Sequence, residues 1–223
     1  KLNYDFLKNY TNIKYIISPT TGTTHIDLGY CKKRKIKVLT LKNIPEKINN
    51  IRSTSELTLF LIMALTRNLY LAENNYKSIG PKDRVKYRGR ELSCLWIGII
   101  GGGRIGSHLI EYLQSLKSKV LLFDIDKNVN SKFKNIVCSS LNELIEFSDV
   151  ITINADLNKT SKNLISKEQL ELMNGKYLVN TARAEIINKK YLIKALDKNL
   201  LKGFATDVYW DEQNLNNYDS DLL

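Results

Sequence analysis

Cysteine is scarce in this chain: Cys31, Cys94 and Cys138 are the only three in 223 residues, and they lie far apart. There is no Cys-x-x-Cys pair and no Cys/His cluster at metal-ligand spacing, so nothing points to a metal site or a disulfide framework. The odd thiol count and the lack of a secretory leader at Lys1 suit a reducing cytoplasm. All three thiols are expected to be ordinary buried or half-buried side chains. Histidine is scarcer still, with only His25 and His108. Long apolar runs are also missing. The richest, residues 57–65, is interrupted by Thr58 and is shorter than the ~18 residues a membrane span needs. Internal repeats and low-complexity linkers are absent, and so is an initiating Met. The chain therefore reads as cut from something longer.

What is present is a hydrophobic content of 43%, enough to build a core and too much for a disordered chain. The length allows one large domain or two small ones. Lys and Arg number 34 against 23 Asp and Glu, a net charge of +11. Such a balance suits a polyanion, and a basic nucleic-acid-binding protein is a remote alternative. The lysines are scattered, however. The one dense run, "KKRKIK" at 32–37, has no interleaved aromatics and reads as a solvated face.

Apolar periodicity gives alternating strands and helices. "KYIIS" (14–18) and "IKVLTL" (36–41) read as strands flanking a short helix, "IDLGYCKKRK". Residues 55–76 form the longest helical pattern, with Ser53 or Ser55 as its cap and Glu56 in its first turn. This helix is apolar on much of its surface and should be buried or lie against a partner. A basic connection broken by Gly80-Pro81 follows. From Leu95 the alternation is regular. The strands are "WIGII", "KVLLFD", a weak "NIVCS", "DVITIN", "KYLVNT" and "LKGFATDV". The helices are 104–116, 141–147, 166–173 and 189–198. This order implies a doubly wound α/β fold with a parallel sheet, whose ligands bind at the carboxyl ends of the strands.

Gly101, Gly103 and Gly106 form G-x-G-x-x-G between a strand and a helix. The first glycine makes the tight turn, the second admits a pyrophosphate, and the third lets helix and strand pack closely. The helix from Arg104 aims its amino-terminal amides at that anion. Asp124 ends the next strand at about the 20-residue spacing expected of a ribose-binding acid. It could instead be a turn residue at a strand end. A carboxylate there favours NAD over NADP, and no arginine follows it closely. Trp96, near this loop in sequence, is a candidate fluorescence reporter.

With these residues placed, the chain resembles the D-isomer-specific 2-hydroxyacid dehydrogenases. Five collinear segments carry the likeness: "SPTTGTTHIDL", "YRGRELSCLWIGIIGGGRIG", "SDVITINADLNKTSKNLI", "YLVNTARAEIINKKYLIKAL" and "GFATDVYWDE". The resemblance implies a Rossmann-type NAD domain at 54–223, including a hinge helix at 55–76 and an arm at 77–94. It also implies part of a flavodoxin-like substrate domain at 1–53, incomplete in this chain. The implied activity is NAD-dependent interconversion of a D-2-hydroxy acid and a 2-oxo acid, in a cytoplasmic homodimer paired through 55–94.

The same resemblance assigns residues. Arg183 matches the substrate arginine, whose planar guanidinium suits a carboxylate and a carbonyl oxygen. Glu212 matches the acidic member of the acid/base pair. Arg104 and Ile105 match the pyrophosphate loop, Thr181 and Ala182 the nicotinamide wall, and Asp207 a carboxamide contact. Thr21 and Gly22 match the loop that binds the substrate carboxylate. The family's catalytic histidine lies further along than Glu212, where this sequence has none, so turnover by these 223 residues is expected to be impaired. His25 reads as a polar loop residue. A non-catalytic NAD-binding scaffold of the same family is the alternative. Smaller departures are Asn154 for a common His, Asp156 for Pro and Ala184 for Gly.

Overall fold

The structure, a computed structural model, describes residues 2–23, 25–79, 85 and 87–210. The chain divides into two compact units, Lys1–Ile51 and Arg52–Leu223. The first contains α1 (Tyr4–Leu7), β1 (Tyr15–Ser18), α2 (Leu28–Lys33), β2 (Lys37–Thr40) and α3 (Pro45–Ile48). Strands β1 and β2 pair in parallel, Ile16 beside Val38 and Ile17 beside Leu39. Ile16 joins Leu7, Ile26, Cys31 and Ile36 in a small core. Successive strand side chains face opposite ways, so Tyr15 and Ile17 are left 56% and 77% exposed. The basic run at 32–37 is solvated as its composition suggests, with Ile36 its one buried member.

The second unit opens with two helices, α4 (Ser53–Thr66) and α5 (Leu69–Ile79). It continues as β3 (Trp96–Ile100), α6 (Arg104–Ser115), β4 (Lys119–Phe123), α7 (Lys127–Lys132) and α8 (Leu141–Phe147). After these come β5 (Val150–Ile153), α9 (Lys167–Leu172), β6 (Tyr177–Asn180), α10 (Lys189–Asp197) and β7 (Gly203–Thr206). The five strands β3–β7 form one parallel sheet in the order β4-β3-β5-β6-β7. Alternation again sorts the core. Ile97, Ile99, Val150 and Val179 face Ile62 of α4 and Leu109 and Leu113 of α6. Ile100, Ile151, Ile153 and Leu178 face Leu144, Leu170 and Leu192 of α8, α9 and α10. A parallel sheet covered on both faces needs apolar residues on both, which is why its strands read as continuous apolar runs.

Four expectations are corrected. The single helix over 55–76 is two helices, broken where Asn68 takes φ 54°, a left-handed conformation that Asn tolerates better than most residues. The Asn68 amide also donates to the Arg88 carbonyl, and the Arg90 N–H takes the Thr66 carbonyl at the end of α4. The tertiary partner supplies the stop that apolar periodicity does not show. Neither serine caps α4: its N-cap is Arg52, without a side-chain hydrogen bond, and Ser55 instead donates to the Ile105 carbonyl. The weak strand "NIVCS" contributes only an isolated bridge, Leu122 to Val137. Cys94 is exposed, while Cys31 and Cys138 are buried.

Helix α7 is an addition. Its polar sequence, KNVNSK, has no apolar stripe. It forms because Asp126 caps it by accepting the Asn128 N–H. Among the described residues, no helix is long and apolar enough to cross a membrane. Among the same residues, no group of three or more His, Cys, Asp or Glu could hold a metal.

Candidate functional site

In the sheet order, β4 lies on one side of β3 and β5, β6 and β7 on the other. The chain reverses direction of travel between β3 and β5. At such a switch point the loops leaving the carboxyl ends part and open a crevice. The 101–103 turn and Asn154 stand on either side of it.

Gly101 has φ +96°, and a Cβ on it would meet the backbone of Asn154 and Ala155 at 2.7–2.9 Å. Only glycine makes that turn without strain. Gly103 is the N-cap of α6 with no side-chain cap, and a Cβ there would meet nothing within 4 Å. An uncapped helix start facing open space fits a pyrophosphate, which can take the first-turn amides and the positive end of the helix dipole. Arg104 and Ile105 occupy that first turn, both half-buried. Gly106, fully inside, lets α6 settle on the loop.

Asp124 follows β4. Its Oδ2 accepts the Gly102 N–H at 2.7 Å and its Oδ1 accepts the Asp126 N–H at 2.8 Å. A carboxylate offers about four acceptor positions, so two remain for ribose hydroxyls. The α7 residues, which the sequence reading missed, secure this corner. Asn130 Nδ2 donates to the Asp124 carbonyl, and Val129 packs where a Cβ on Gly102 would go. At the far side, Asn154 Oδ1 accepts from Thr152 Oγ1, while its Nδ2 is buried without a partner among the described residues. An orphaned buried donor at the switch point matches a site that expects a polar ligand.

Strand β6 ends in the second half of the site. Asn180 is 1% exposed. Its Oδ1 accepts the Ala182 N–H and its Nδ2 donates to the Arg183 carbonyl, both at 3.0 Å. One side chain thus folds the turn that carries Thr181, Ala182 and Arg183. Asn reaches its own downstream backbone readily, a local signal that the sequence reading did not use. Arg183 is half-buried and its Nη1 donates to the Ala182 carbonyl. Thr206 in β7 donates to the Asn180 carbonyl, and Asp207, exposed, comes next. Glu212 lies outside the described residues.

His108, on α6, is 8% exposed with Nδ1 unpartnered among the described residues. Burial lowers its pKa first, then the nearby Arg52; Glu111 opposes the shift, while Arg104 and Lys132 reinforce it. Glu111 is itself held low by its ion pair with Arg52 at 2.9 Å. In the first unit, Thr21 and Gly22 are half-buried after β1, where Thr20 Oγ1 donates to the Gly22 carbonyl. His25 Nε2 lies 3.1 Å from Ser18 Oγ. Trp96 is a poorer reporter than its sequence position suggests. It starts β3 while the glycines follow its end, about 16 Å away at strand rise, and its ring faces Lys119.

Residues 59–222 match the NAD-binding-domain model of the D-isomer specific 2-hydroxyacid dehydrogenases. A glyoxylate reductase of Thermofilum pendens is 31% identical over 218 residues, covering 95% of this chain and 63% of that protein. A D-specific alpha-keto acid dehydrogenase of Enterococcus faecium is 30% identical over 204 residues, covering 90% and 59%. Among solved structures, D-lactate dehydrogenase of Aquifex aeolicus, complexed with NAD and lactic acid, superposes with TM-score 0.83 at 30% identity. That match covers 100% of this chain and 68% of the other. An NAD-dependent formate dehydrogenase of Staphylococcus aureus, in complex with NAD, gives 0.79 at 30% identity, covering 95% and 62%. The chain spans about three fifths of the length of the two curated relatives. The family model runs over most of the chain, and the glycine turn it contains stands at the carboxyl edge of a parallel sheet: the chain belongs to the D-isomer specific 2-hydroxyacid dehydrogenase family and carries its NAD-binding domain.

Proposed function

We propose that the protein uses NADH to reduce a small 2-oxo acid to a D-2-hydroxy acid, or runs the reverse. The observation that carries this reading is that one edge of one sheet holds both halves of the site. The glycine turn and Asp124 lie to one side, and the Asn180-clamped turn bearing Arg183 to the other. Gly101, Gly103, Arg104, Ile105, Gly106 and Asp124 bind the pyrophosphate and ribose. Thr181, Ala182 and Asp207 line the nicotinamide end, and Arg183 holds the substrate carboxylate and polarises its carbonyl. NAD supplies the hydride chemistry. The residues of this chain bind, orient and exclude water.

In this reading 54–223 is the cofactor domain, and 1–53, with Thr21 and Gly22 at the substrate carboxylate, belongs to the substrate domain. Glu212 tunes the group that moves the proton. The apolar side chains exposed on α4 and α5, among them Leu57, Phe60, Met63 and Leu71, support a homodimer through 55–94, because large exposed apolar patches mark association sites. The test is calorimetric titration with NADH, followed by assays of glyoxylate and pyruvate reduction. Binding of NADH supports the reading, and so does any turnover, expected to be impaired in these 223 residues, that Arg183→Ala abolishes. Absence of NADH binding sinks it.

A further inference from the structure

Helix α4 buries hydroxyls where most amphipathic helices bury aliphatic side chains. Its buried stripe is Ser55, Thr58, Ile62 and Thr66. Ser55 and Thr66 donate to backbone carbonyls. Thr58 does something further. Its Oγ1 lies 2.7 Å from the Thr54 carbonyl oxygen and 2.6 Å from the hydroxyl of Thr181, at the end of β6. Thr58 is 0% exposed and Thr181 is 5% exposed.

The proton count fixes the direction of this chain of bonds. Each hydroxyl has one proton, and a carbonyl can only accept. Both contacts are hydrogen bonds at once only if the Thr58 proton goes to Thr54. The 2.6 Å contact is a hydrogen bond only if Thr181 donates to Thr58. The single proton of Thr181 is thereby committed to the interior, and its oxygen keeps acceptor capacity alone. The backbone beneath it is held by the Asn180 clamp.

We infer that Thr58 is a positioning residue: it makes Thr181 an acceptor-only group at the nicotinamide end of the cofactor site. The site then favours a carboxamide, which brings N–H donors, over a carboxylate, which brings none. This rests on the proposed placement of Thr181 beside the nicotinamide.

The experiment titrates the 223-residue protein with NAD, nicotinic acid adenine dinucleotide and ADP-ribose by calorimetry. The wild type should prefer NAD to the acid. Thr58→Val keeps the shape but frees the Thr181 proton to point outward. It should narrow that preference about threefold to tenfold, the scale of one hydrogen bond, with ADP-ribose binding unchanged. Thr58→Ser should retain the wild-type preference. An unchanged preference in Thr58→Val overturns the inference. So does a parallel loss of ADP-ribose affinity, which would mark a purely structural role. A wild type that binds none of the three overturns the proposed function as well, whereas a wild type that binds ADP-ribose and NAD equally overturns only the placement of Thr181.

Discussion

A Cβ on Gly106 would lie 2.0 Å from the carbonyl oxygen of Gly101. The third glycine of the motif is thus a contact between helix and turn, made backbone to backbone. Gly103, three residues earlier, has open space where its Cβ would be. The two glycines therefore separate stability from ligand binding. Gly106→Ala must push α6 away from the turn and should cost about 1–3 kcal/mol. Gly103→Ala, at the N-cap of α6, should cost no more than about 1 kcal/mol yet weaken NADH binding about tenfold or more, because its methyl enters the space assigned to the pyrophosphate. Thermal unfolding and NADH titration of both variants check this; equal stability losses would refute it.

Asp124 has a structural duty and a proposed one at the ribose, and Asp124→Ala should show both. Its carboxylate holds the Gly102 and Asp126 amides, so the variant should lose about 1–3 kcal/mol of stability. In the wild type NADH should bind more tightly than NADPH, because a 2′-phosphate meets the carboxylate. That gap should narrow in the variant. A wild type that prefers NADPH would remove Asp124 from the ribose site.

The buried His108 predicts a pH dependence. Burial and the Arg52 charge lower its folded-state pKa below the ordinary 6.5. The unfolded chain therefore binds a proton that the folded chain refuses. Stability should be complete above about pH 6.5 and fall as the pH drops below it. Glu111, held low by Arg52, adds a separate loss only below its ordinary 4.5. Unfolding midpoints measured from pH 7.5 to 5 should show a slope that His108→Leu flattens. An identical slope in the variant would place the dependence elsewhere.

Ile17 and Leu39 stand side by side in the two-stranded sheet and are 77% and 40% exposed. Adjacent apolar side chains on a small sheet invite association. Ile17→Lys should lower concentration-dependent light scattering without lowering the unfolding temperature, since the side chain already faces solvent. Unchanged scattering would show that the chain associates through some other surface.

The strands of the main sheet were legible because a parallel sheet buried on both faces leaves uninterrupted apolar runs, as "WIGII" and "DVITIN" are. The glycine turn was legible because spacing, a preceding strand and a following helix agree. Arg183 and Asp207 were singled out only through family likeness; nothing in local spacing marks either. Helix α7 was not legible, because a polar helix held by a cap and by neighbours carries no apolar period. The break at Asn68 was missed for a similar reason, since its stabilising partner, Arg88, is distant in sequence.

The sequence by itself determined the chain order of the five main-sheet strands, the fold class and the position of the glycine turn, because these depend on apolar period and backbone freedom, which are local. Only the tertiary structure decided which face of α4 goes inward. Its sequence is apolar on much of its surface, interrupted by Thr58; in the fold Leu57, Phe60 and Met63 are exposed and Thr58 is buried. That face carries Ile62, with Leu59, Leu61 and Leu65 packed beside it against the sheet core, and the hydroxyl of Thr58 finds its partner, 123 positions further along the chain, only after β6 has been laid into the sheet.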